Sequence, residues 1–378
     1  MKENKKIRVG VLYGGRSGEH EVSLRSAASV IKNLDREKFI AVPIAITKEG
    51  KWLLQDLEYI IKGGDSLLID QKAPQVLLST NPKDSSERTL ISVEKGEKEC
   101  QQLDVFFPVI HGPLCEDGTI QGLMELAEVA YVGCGVLASS VGMDKEVAKR
   151  LARDVGLPIV PFVLVRRGEW KRNSSLYSGR IATELSYPVF VKPVNMGSSV
   201  GVHKVKDKEF LKAAMDDAFK YDTKVLVEQA IDAREIEVAV LENQEEDGEP
   251  LTTIPGEITP NHEFYSYEAK YLDDKGAGLY IPAKLDVQQA KEVQRIAKEA
   301  FTVLQGEGMA RADFFLDRKS GKFYFNEVNT IPGFTSISMY PKLWEASGLS
   351  YKALLTRLIE LATSRQNRKK ALAREFVR

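Results

Sequence analysis

The first 47 residues alternate strand, turn, helix and strand, and this order constrains the fold more than any other feature. A buried strand is predicted over 7–13, a glycine-rich turn over 14–21, a helix over 22–34 and a second strand over 39–47. The helix is inferred from apolar residues at helical spacing, with Ser23 as its N-terminal cap. A β–α–β beginning of this kind is typical of an α/β domain.

The rest of the chain favours further mixed α/β structure in more than one domain. Residues 62–100 are polar and turn-rich, which indicates an insertion with small strands, and 104–112 is another buried strand. At 378 residues the chain is long enough for two or three domains of roughly 150 residues each. Changes of pattern place the predicted domains at 1–140, 141–231 and 232–378.

Charge balance and cysteine content exclude several classes of protein. The 53 Lys and Arg against 54 Asp and Glu give a net charge of −1, whereas a general nucleic-acid-binding protein has a basic excess. Three scattered cysteines suit a reducing compartment. The uncharged stretch 129–143 is shorter than the roughly 20 apolar residues of a membrane helix. No signal-peptide core is visible, so we expect a cytoplasmic protein without a membrane partner.

The strongest chemical signal is the predicted hairpin MARADFFLDRKSGKFYFNEVN. If its turn centres near Ser320, paired residues have numbers that sum to about 640, so Arg311 faces Asn329 and Asp313 faces Glu327. Strand side chains alternate with a period of two, so all four groups share one face. Two carboxylates and an amide oxygen suit Mg²⁺ carrying nucleotide phosphates, and Arg311 can hold a further oxyanion. From the residues alone, a cluster of surface ion pairs is an equal alternative.

A second feature is the segment FVKPVNMGSSVGV at 190–202. Lys192 stands at a strand end before a loop rich in glycine and serine, whose backbone N–H groups can cover phosphates. The chain contains no GxxxxGK[ST] sequence, so this is not a Walker A loop. A plain hairpin loop is the alternative.

Two further features point to a binding cleft. Glu228 ends one predicted strand and Glu235 begins the next, so both carboxylates can face a nucleoside, although charged linkers are also common. His20 and His111 each follow a buried strand within a glycine-containing loop, a place where sites tend to form.

Taken together, these segments resemble the ATP-grasp superfamily, and within it the D-alanine–D-alanine ligases. The resemblance covers nearly the whole chain and implies a fold of three α/β domains, the first of them Rossmann-like, with ATP between the other two. It rests on seven motifs in order, VLYGGRSGEHEVSLRSA (11–27), HGPLCEDGTIQG (111–122), MDK (143–145), VKPVNMGSSVGV (191–202), YEAKYL (267–272), ARADFF (310–315) and NEVNTIPGFTSIS (326–338).

The resemblance implies specific nucleotide and metal ligands. For two Mg²⁺ or Mn²⁺ ions it implies Asp313, Glu327 and Asn329, and it also allows a monovalent cation such as K⁺. For ATP it implies Lys145, Lys192, Ser198, Ser199, Glu228, Gln229, Ile231, Glu235, Lys270, Asn326 and Glu327.

The resemblance also implies catalytic and substrate-binding residues. Glu19, Ser198 and Tyr271 resemble a hydrogen-bonded set in which Glu19 holds the ammonium of the first D-alanine. Arg311 and the N–H of Gly333 resemble an oxyanion hole. Substrate contacts are implied for Glu19, His111, Arg311, Gly333, Ser338 and Met339.

The implied activity is the ATP-dependent joining of two D-alanines through a D-alanyl phosphate, for peptidoglycan precursor synthesis, by a homodimer. An intact YEAKYL segment with Tyr271 favours an amine nucleophile over D-lactate. Cys115 departs from the family pattern, which commonly has glycine there. The alternatives are another ATP-grasp carboxylate–amine ligase, such as a D-alanine–D-serine or D-alanine–D-lactate ligase, and a non-catalytic nucleotide-binding protein. Retention of the lysines and metal ligands argues against the last.

Overall fold

The computed structural model describes residues 5–81, 89–94, 96–260 and 277–373, with the backbone alone at 96–100, 260 and 277. Lys270 and Tyr271, and the YEAKYL motif that contains them, lie outside the described residues. The architecture is mixed α/β, as predicted, and is built around three main sheets.

The N-terminal region is a five-stranded sheet in the order β3-β2-β1-β7-β8, with β1 parallel to both β2 and β7. The predicted insertion forms a separate antiparallel sheet, β4-β5-β6. The elements are β1 (Ile7–Gly14), α1 (His20–Asn33), β2 (Phe39–Ile46), β3 (Trp52–Leu54), α2 (Leu57–Ile60), β4 (Val76–Leu78), β5 (Leu90–Ser92), β6 (Gly96–Gln101), β7 (Val105–Pro108), α3 (Thr119–Leu126), β8 (Ala130–Tyr131) and α4 (Val136–Met143).

The prediction that Ser23 caps the first helix is wrong. Helix α1 already begins at His20, so Ser23 lies inside the helix and is buried. Its hydroxyl accepts a hydrogen bond from the N–H of Gly14 at 2.8 Å and donates one to the C=O of Val109 at 2.6 Å. It therefore satisfies backbone groups at the ends of two neighbouring strands, and a local sequence pattern does not reveal these contacts.

The central region is an antiparallel sheet in the order β11-β10-β12-β9, with its own apolar core. This core runs from Val163 to Val227 along the chain. The elements are α5 (Lys145–Asp154), β9 (Phe162–Arg166), α6 (Arg167–Arg172), α7 (Ser174–Glu184), β10 (Val189–Pro193), β11 (His203–Val205), α8 (Lys208–Ala218) and β12 (Lys224–Gln229).

The C-terminal region is a larger sheet in the order β16-β15-β13-β17-β18, with β14 paired to β13. Helix α5 packs against this sheet, because Ala148 and Ala152 belong to the same apolar core as Phe314 and Phe325. The elements are β13 (Ala233–Leu241), β14 (Leu251–Thr252), β15 (Gly256–Pro260), β16 (Ala277–Tyr280), α9 (Val287–Val303), β17 (Met309–Asp317), β18 (Phe323–Asn329), α10 (Met339–Ala346) and α11 (Tyr351–Lys370).

The register predicted for the hairpin β17–β18 is confirmed. Arg311 pairs with Asn329 and Asp313 pairs with Glu327. A bulge after Asp313 then shifts the pairing by one residue. The predicted rule that paired residue numbers sum to about 640 therefore holds only for the half of the hairpin that carries the polar groups.

The two ends of the chain share one core. Helix α11 packs on the first sheet, where the guanidinium of Arg365 donates to the C=O of Gly133 at 2.7 Å and of Tyr131 at 2.6 Å. Leu358 of this helix lies in the same apolar cluster as Val11. Among the described helices, none is long and apolar enough to span a membrane.

Candidate active site

A cavity of about 710 Å³ lies between the central and C-terminal sheets and reaches the turn after β1. Most of the site residues predicted from the sequence line it. These are Glu19, His111, Lys145, Lys192, Ser198, Ser199, Glu228, Gln229, Ile231, Glu235, Arg311, Asp313, Asn326, Glu327, Asn329 and Gly333.

Asp313 is the centre of a hydrogen-bonded cluster at the open end of the hairpin, away from the turn. Arg311 donates to both of its carboxylate oxygens, from Nε and from Nη2, each at 2.7 Å. The amide nitrogen of Asn329 donates to Oδ2 of Asp313 at 2.8 Å. The predicted metal ligands and the predicted oxyanion-binding guanidinium are therefore in direct contact.

Glu237 also belongs to this cluster, and sequence reasoning did not select it. It pairs with Asp313 across strands β13 and β17, and its Oε2 lies 3.0 Å from Nε of Arg311. Burial disfavours the charged guanidinium, but Asp313 and Glu237 overcome this and raise the pKa of Arg311 well above its usual range. The sequence could have indicated Glu237, because it lies two residues after Glu235 and strand side chains two apart share one face.

Lys145 connects the glycine-rich loop to the end of the hairpin that carries the predicted metal ligands. Its ammonium donates to the C=O of Met196 at 2.8 Å and lies 3.2 Å from Oε2 of Glu327. Lys145 is the first residue of α5, a helix whose N-terminus is capped by the side chain of Asp144.

Glu228 lines the cavity and lies between two lysines. Its Oε2 accepts a hydrogen bond from Lys192, and its Oε1 forms a 2.7 Å ion pair with Lys149. Burial alone would raise the pKa of Glu228, but Lys149 and Lys192 lower it well below its ordinary value. Sequence reasoning missed Lys149, although its spacing of four from Lys145 put both lysines on one face of a helix.

The neighbouring predicted nucleotide ligands differ in how their side chains are used. The amide of Gln229 bonds the N–H and the C=O of Ser186, both at 2.7 Å, so this side chain holds the turn before β10. The side-chain amide of Gln229 is therefore already hydrogen-bonded within the protein. Ile231 and Glu235 line the cavity beside it.

Glu19 links the N-terminal sheet to the glycine-rich loop. Its Oε1 accepts a hydrogen bond from the hydroxyl of Ser198. Ser198 and Ser199 have φ of 51° and 60°, in the left-handed region. A Cβ at Gly112 would lie 2.8 Å from Oε2 of Glu19, so glycine there gives this carboxylate its space.

His111 connects the N-terminal sheet to the segment that carries Gly333. Its Nδ1 donates to the C=O of Ile331 at 3.2 Å, and its Nε2 lies 3.0 Å from the hydroxyl of Ser26. The same hydroxyl accepts a hydrogen bond from the N–H of Phe334 at 3.4 Å. His111 and Ser26 thus hold the backbone on both sides of Gly333.

Ser338 and Met339 are not among the residues that line the cavity in the described part of the chain. The hydroxyl of Ser338 bonds the N–H of Thr335 at 3.0 Å, and Ser338 precedes helix α10. The side chain of Met339 is buried in the core, where it meets Gly256. The structure therefore does not support a side-chain contact between Met339 and the substrate.

The donor set on the hairpin fits a hard divalent cation. Asp313 and Glu327 supply carboxylate oxygens on one face, and Asn329 adds an amide. No group of three or more His, Cys, Asp or Glu side chains in the described residues has metal-ligand spacing.

Comparison with known proteins agrees with this geometry. Residues 8–134 match the family model described as "D-ala D-ala ligase N-terminus", and residues 151–360 match "D-ala D-ala ligase C-terminus". The chain belongs to the D-alanine–D-alanine ligase family. Ligases of this family depend on ATP and on a divalent metal ion.

Relatives of this family resemble the chain over nearly its full length. A D-alanine–D-alanine ligase A from Bradyrhizobium diazoefficiens is 54% identical, with 98% of this chain and 99% of the relative covered. A D-alanine–D-alanine ligase from Caldicellulosiruptor bescii is 49% identical, with 97% and 98% covered.

Two solved structures of the family have the same fold. The D-alanine-D-alanine ligase from Coxiella burnetii superposes with a TM-score of 0.82 at 34% identity, covering 97% of this chain and 96% of that one. The VanG D-Ala:D-Ser ligase from Enterococcus faecalis superposes with a TM-score of 0.82 at 35% identity, covering 95% and 100%.

Proposed function

We propose that this protein joins two D-alanine molecules, with conversion of ATP to ADP and phosphate, through a D-alanyl phosphate. One observation carries the proposal. A single cavity brings together carboxylates, lysines, a half-buried guanidinium and a glycine-rich loop, in a chain 54% identical to a D-alanine–D-alanine ligase over nearly its whole length. The product would serve peptidoglycan precursor synthesis.

In the first step a carboxylate oxygen of D-alanine attacks the γ-phosphorus of ATP, and the bond to the β-phosphate oxygen breaks. Lys145 and Lys192 line the cavity and supply positive charge for the phosphates. Ser198 and Ser199 lie in the loop that covers them. Asp313, Glu327 and Asn329 would hold Mg²⁺ or Mn²⁺, which neutralises phosphate charge.

In the second step the amine of another D-alanine attacks the carbonyl carbon of the acyl phosphate. The tetrahedral oxyanion is stabilised by Arg311 and the N–H of Gly333, both of which line the cavity. The contacts of Arg311 with Asp313 use Nε and Nη2, so Nη1 can be directed at the oxyanion. The carbon–oxygen bond to phosphate then breaks, phosphate leaves with the bonding electrons and takes up the proton that the attacking nitrogen loses, and the dipeptide forms.

The finer features of the proposal rest on the residue pattern and the family. Three cysteines, two of them described as free and buried, suit the reducing cytoplasm where ATP is available. We also propose a homodimer, a site for K⁺, and three domains at 1–140, 141–231 and 232–378. Lys270 and Tyr271 would add a third phosphate lysine and a substrate-side hydroxyl.

The proposal is tested by phosphate release from purified protein with ATP, Mg²⁺ and a panel of acceptors. We expect D-alanine alone to support release, with formation of D-alanyl-D-alanine. D-serine and D-lactate serve as competitors in the presence of D-alanine, because VanG is a D-Ala:D-Ser ligase of similar fold. Release that requires D-serine or D-lactate would contradict the proposal.

A further inference from the structure

Lys149 is a fully buried lysine, and its ammonium contacts a carboxylate and a backbone carbonyl. It is only 1% exposed, and lies on α5 one helical turn after Lys145. Its ammonium forms the 2.7 Å ion pair with Oε1 of Glu228 and donates to the C=O of Phe325 at 3.2 Å. One side chain thus joins a helix, a strand of the central sheet and a strand of the C-terminal sheet.

A lysine in such a position is costly unless its charge is compensated. Burial lowers the pKa of Lys149, and the carboxylate of Glu228 counteracts this by direct contact. Apolar residues could fill the same volume, because Ala148 and Ala152 of α5 already pack in the adjoining core. Packing alone therefore does not explain why a charged lysine, and not an apolar residue, occupies position 149.

The two lysines that contact Glu228 differ in their access to the cavity, and this difference explains the charge at position 149. Lys192 lines the cavity, whereas Lys149 is not among the lining residues of the described chain. Lys192 is therefore accessible to a nucleotide phosphate or ring nitrogen, and can exchange Glu228 for such a partner. Lys149 cannot, so it stays with Glu228 whether or not a nucleotide is bound.

We propose that Lys149 is a positioning residue for adenine recognition, which holds the Glu228 carboxylate ionised and oriented from behind the cavity. The inference rests on the proposed function, in which Glu228 contacts the adenine. An ionised carboxylate accepts hydrogen bonds and donates none. It therefore matches the 6-amino group of adenine and opposes the carbonyl oxygen that guanine carries at the same place.

The test compares nucleotides that differ only at this group. Dissociation constants for ATP and for purine riboside triphosphate, which lacks the 6-amino group, are measured by calorimetry without D-alanine. We expect the wild-type protein to favour ATP by about tenfold or more, the scale of a hydrogen bond to a charged group. Lys149→Met should reduce this preference to about threefold or less.

Arg153→Met provides the matched control, since it removes a cation from an exposed position one turn further along the same helix. It should retain the wild-type preference. Lys149→Gln, which keeps a donor for Glu228 but carries no charge, is the second variant if Lys149→Met folds poorly, and should show the same loss. Because only folded protein binds, the ratio of the two constants does not depend on the folded fraction.

Two outcomes separate this inference from its alternatives. A lysine with a merely structural role would lower the melting temperature when replaced but leave the ratio unchanged, and that result would overturn the inference. Failure of the proposed function would appear elsewhere, as tight ATP binding by wild-type protein without phosphate release on addition of D-alanine.

Discussion

The ammonium of Lys145 lies 3.2 Å from Oε2 of Glu327, so a lysine implied in phosphate binding is paired with a carboxylate implied in metal binding. Both side chains are largely buried. With the roles proposed above, a divalent cation at Glu327 would compete with this lysine unless phosphates draw the lysine away. We therefore expect the pair to couple metal binding to nucleotide binding.

Replacing Lys145 should have opposite effects on metal affinity and on turnover. In Lys145→Met, Glu327 loses a competing cation, so Mn²⁺ should bind the nucleotide-free protein more tightly by roughly fivefold, the upper scale of a part-exposed ion pair. Turnover should fall, because the phosphates lose a positive partner. Mn²⁺ titration by water-proton relaxation measures the first effect, with exposed Lys171→Met as control. Weaker Mn²⁺ binding in Lys145→Met would contradict the coupling.

Arg311→Ala should lose at least about 10²–10³ in kcat, the usual effect of removing one oxyanion donor. It also leaves Asp313 and Glu237 without their shared cation, so a lower melting temperature is expected. Arg311→Lys separates the effect on turnover from the effect on stability, because it retains the positive charge and loses the bidentate contact with Asp313. Rates are compared at saturating substrates with folded protein. Near wild-type turnover in folded Arg311→Ala would eliminate the oxyanion role.

Ser198→Ala should weaken binding of the first D-alanine, because it removes the hydrogen bond that links the glycine-rich loop to Glu19. We expect the KM for this substrate to rise by about tenfold, as for a hydrogen bond to a charged group. Ser199→Ala is the comparison, since that residue has the same left-handed backbone. It should change the KM for ATP more than that for D-alanine. Equal effects of both variants on the D-alanine KM would argue against the link.

His111 should make the stability of the protein depend on pH in a defined direction. Burial opposes its charged form, but Glu116 and Glu19 outweigh this and raise the pKa of His111 above its ordinary value. A raised folded-state pKa gives stability that is complete below the unfolded value of about 6.5 and is lost as pH rises through the folded value. The melting-temperature difference between wild type and His111→Gln should therefore shrink as pH increases through that range. A difference that grows with pH would refute this assignment.

The hairpin was predictable in detail because its register depends on a short turn and on residues close in sequence. Arg311, Asp313, Glu327 and Asn329 were placed on one face by counting from Ser320, and the pairing confirms this. The β–α–β beginning was predictable for the same reason, since it rests on local periodicity.

Residues whose partners are distant in sequence were not predictable in this way. The role of Lys149 depends on packing between Glu228 and Phe325, which lie in different sheets. Glu237 required the register between β13 and β17, which are separated by other strands and a long helix. Ser23 looked like a helix cap, but its hydroxyl serves backbone groups of two neighbouring segments. In each case a non-local contact overrode or extended the local pattern.

The shared core of the two chain ends has a consequence for how the protein folds during synthesis. Leu354 and Leu358 of α11 belong to the same apolar cluster as Val9 and Val11 of β1, so the N-terminal sheet lacks part of its core until α11 has left the ribosome. The central sheet has an apolar core of its own and does not share this dependence. The N-terminal sheet is therefore expected to reach its native state after the central sheet, although it precedes that sheet in the chain, against the usual N-terminal-first order of domain folding.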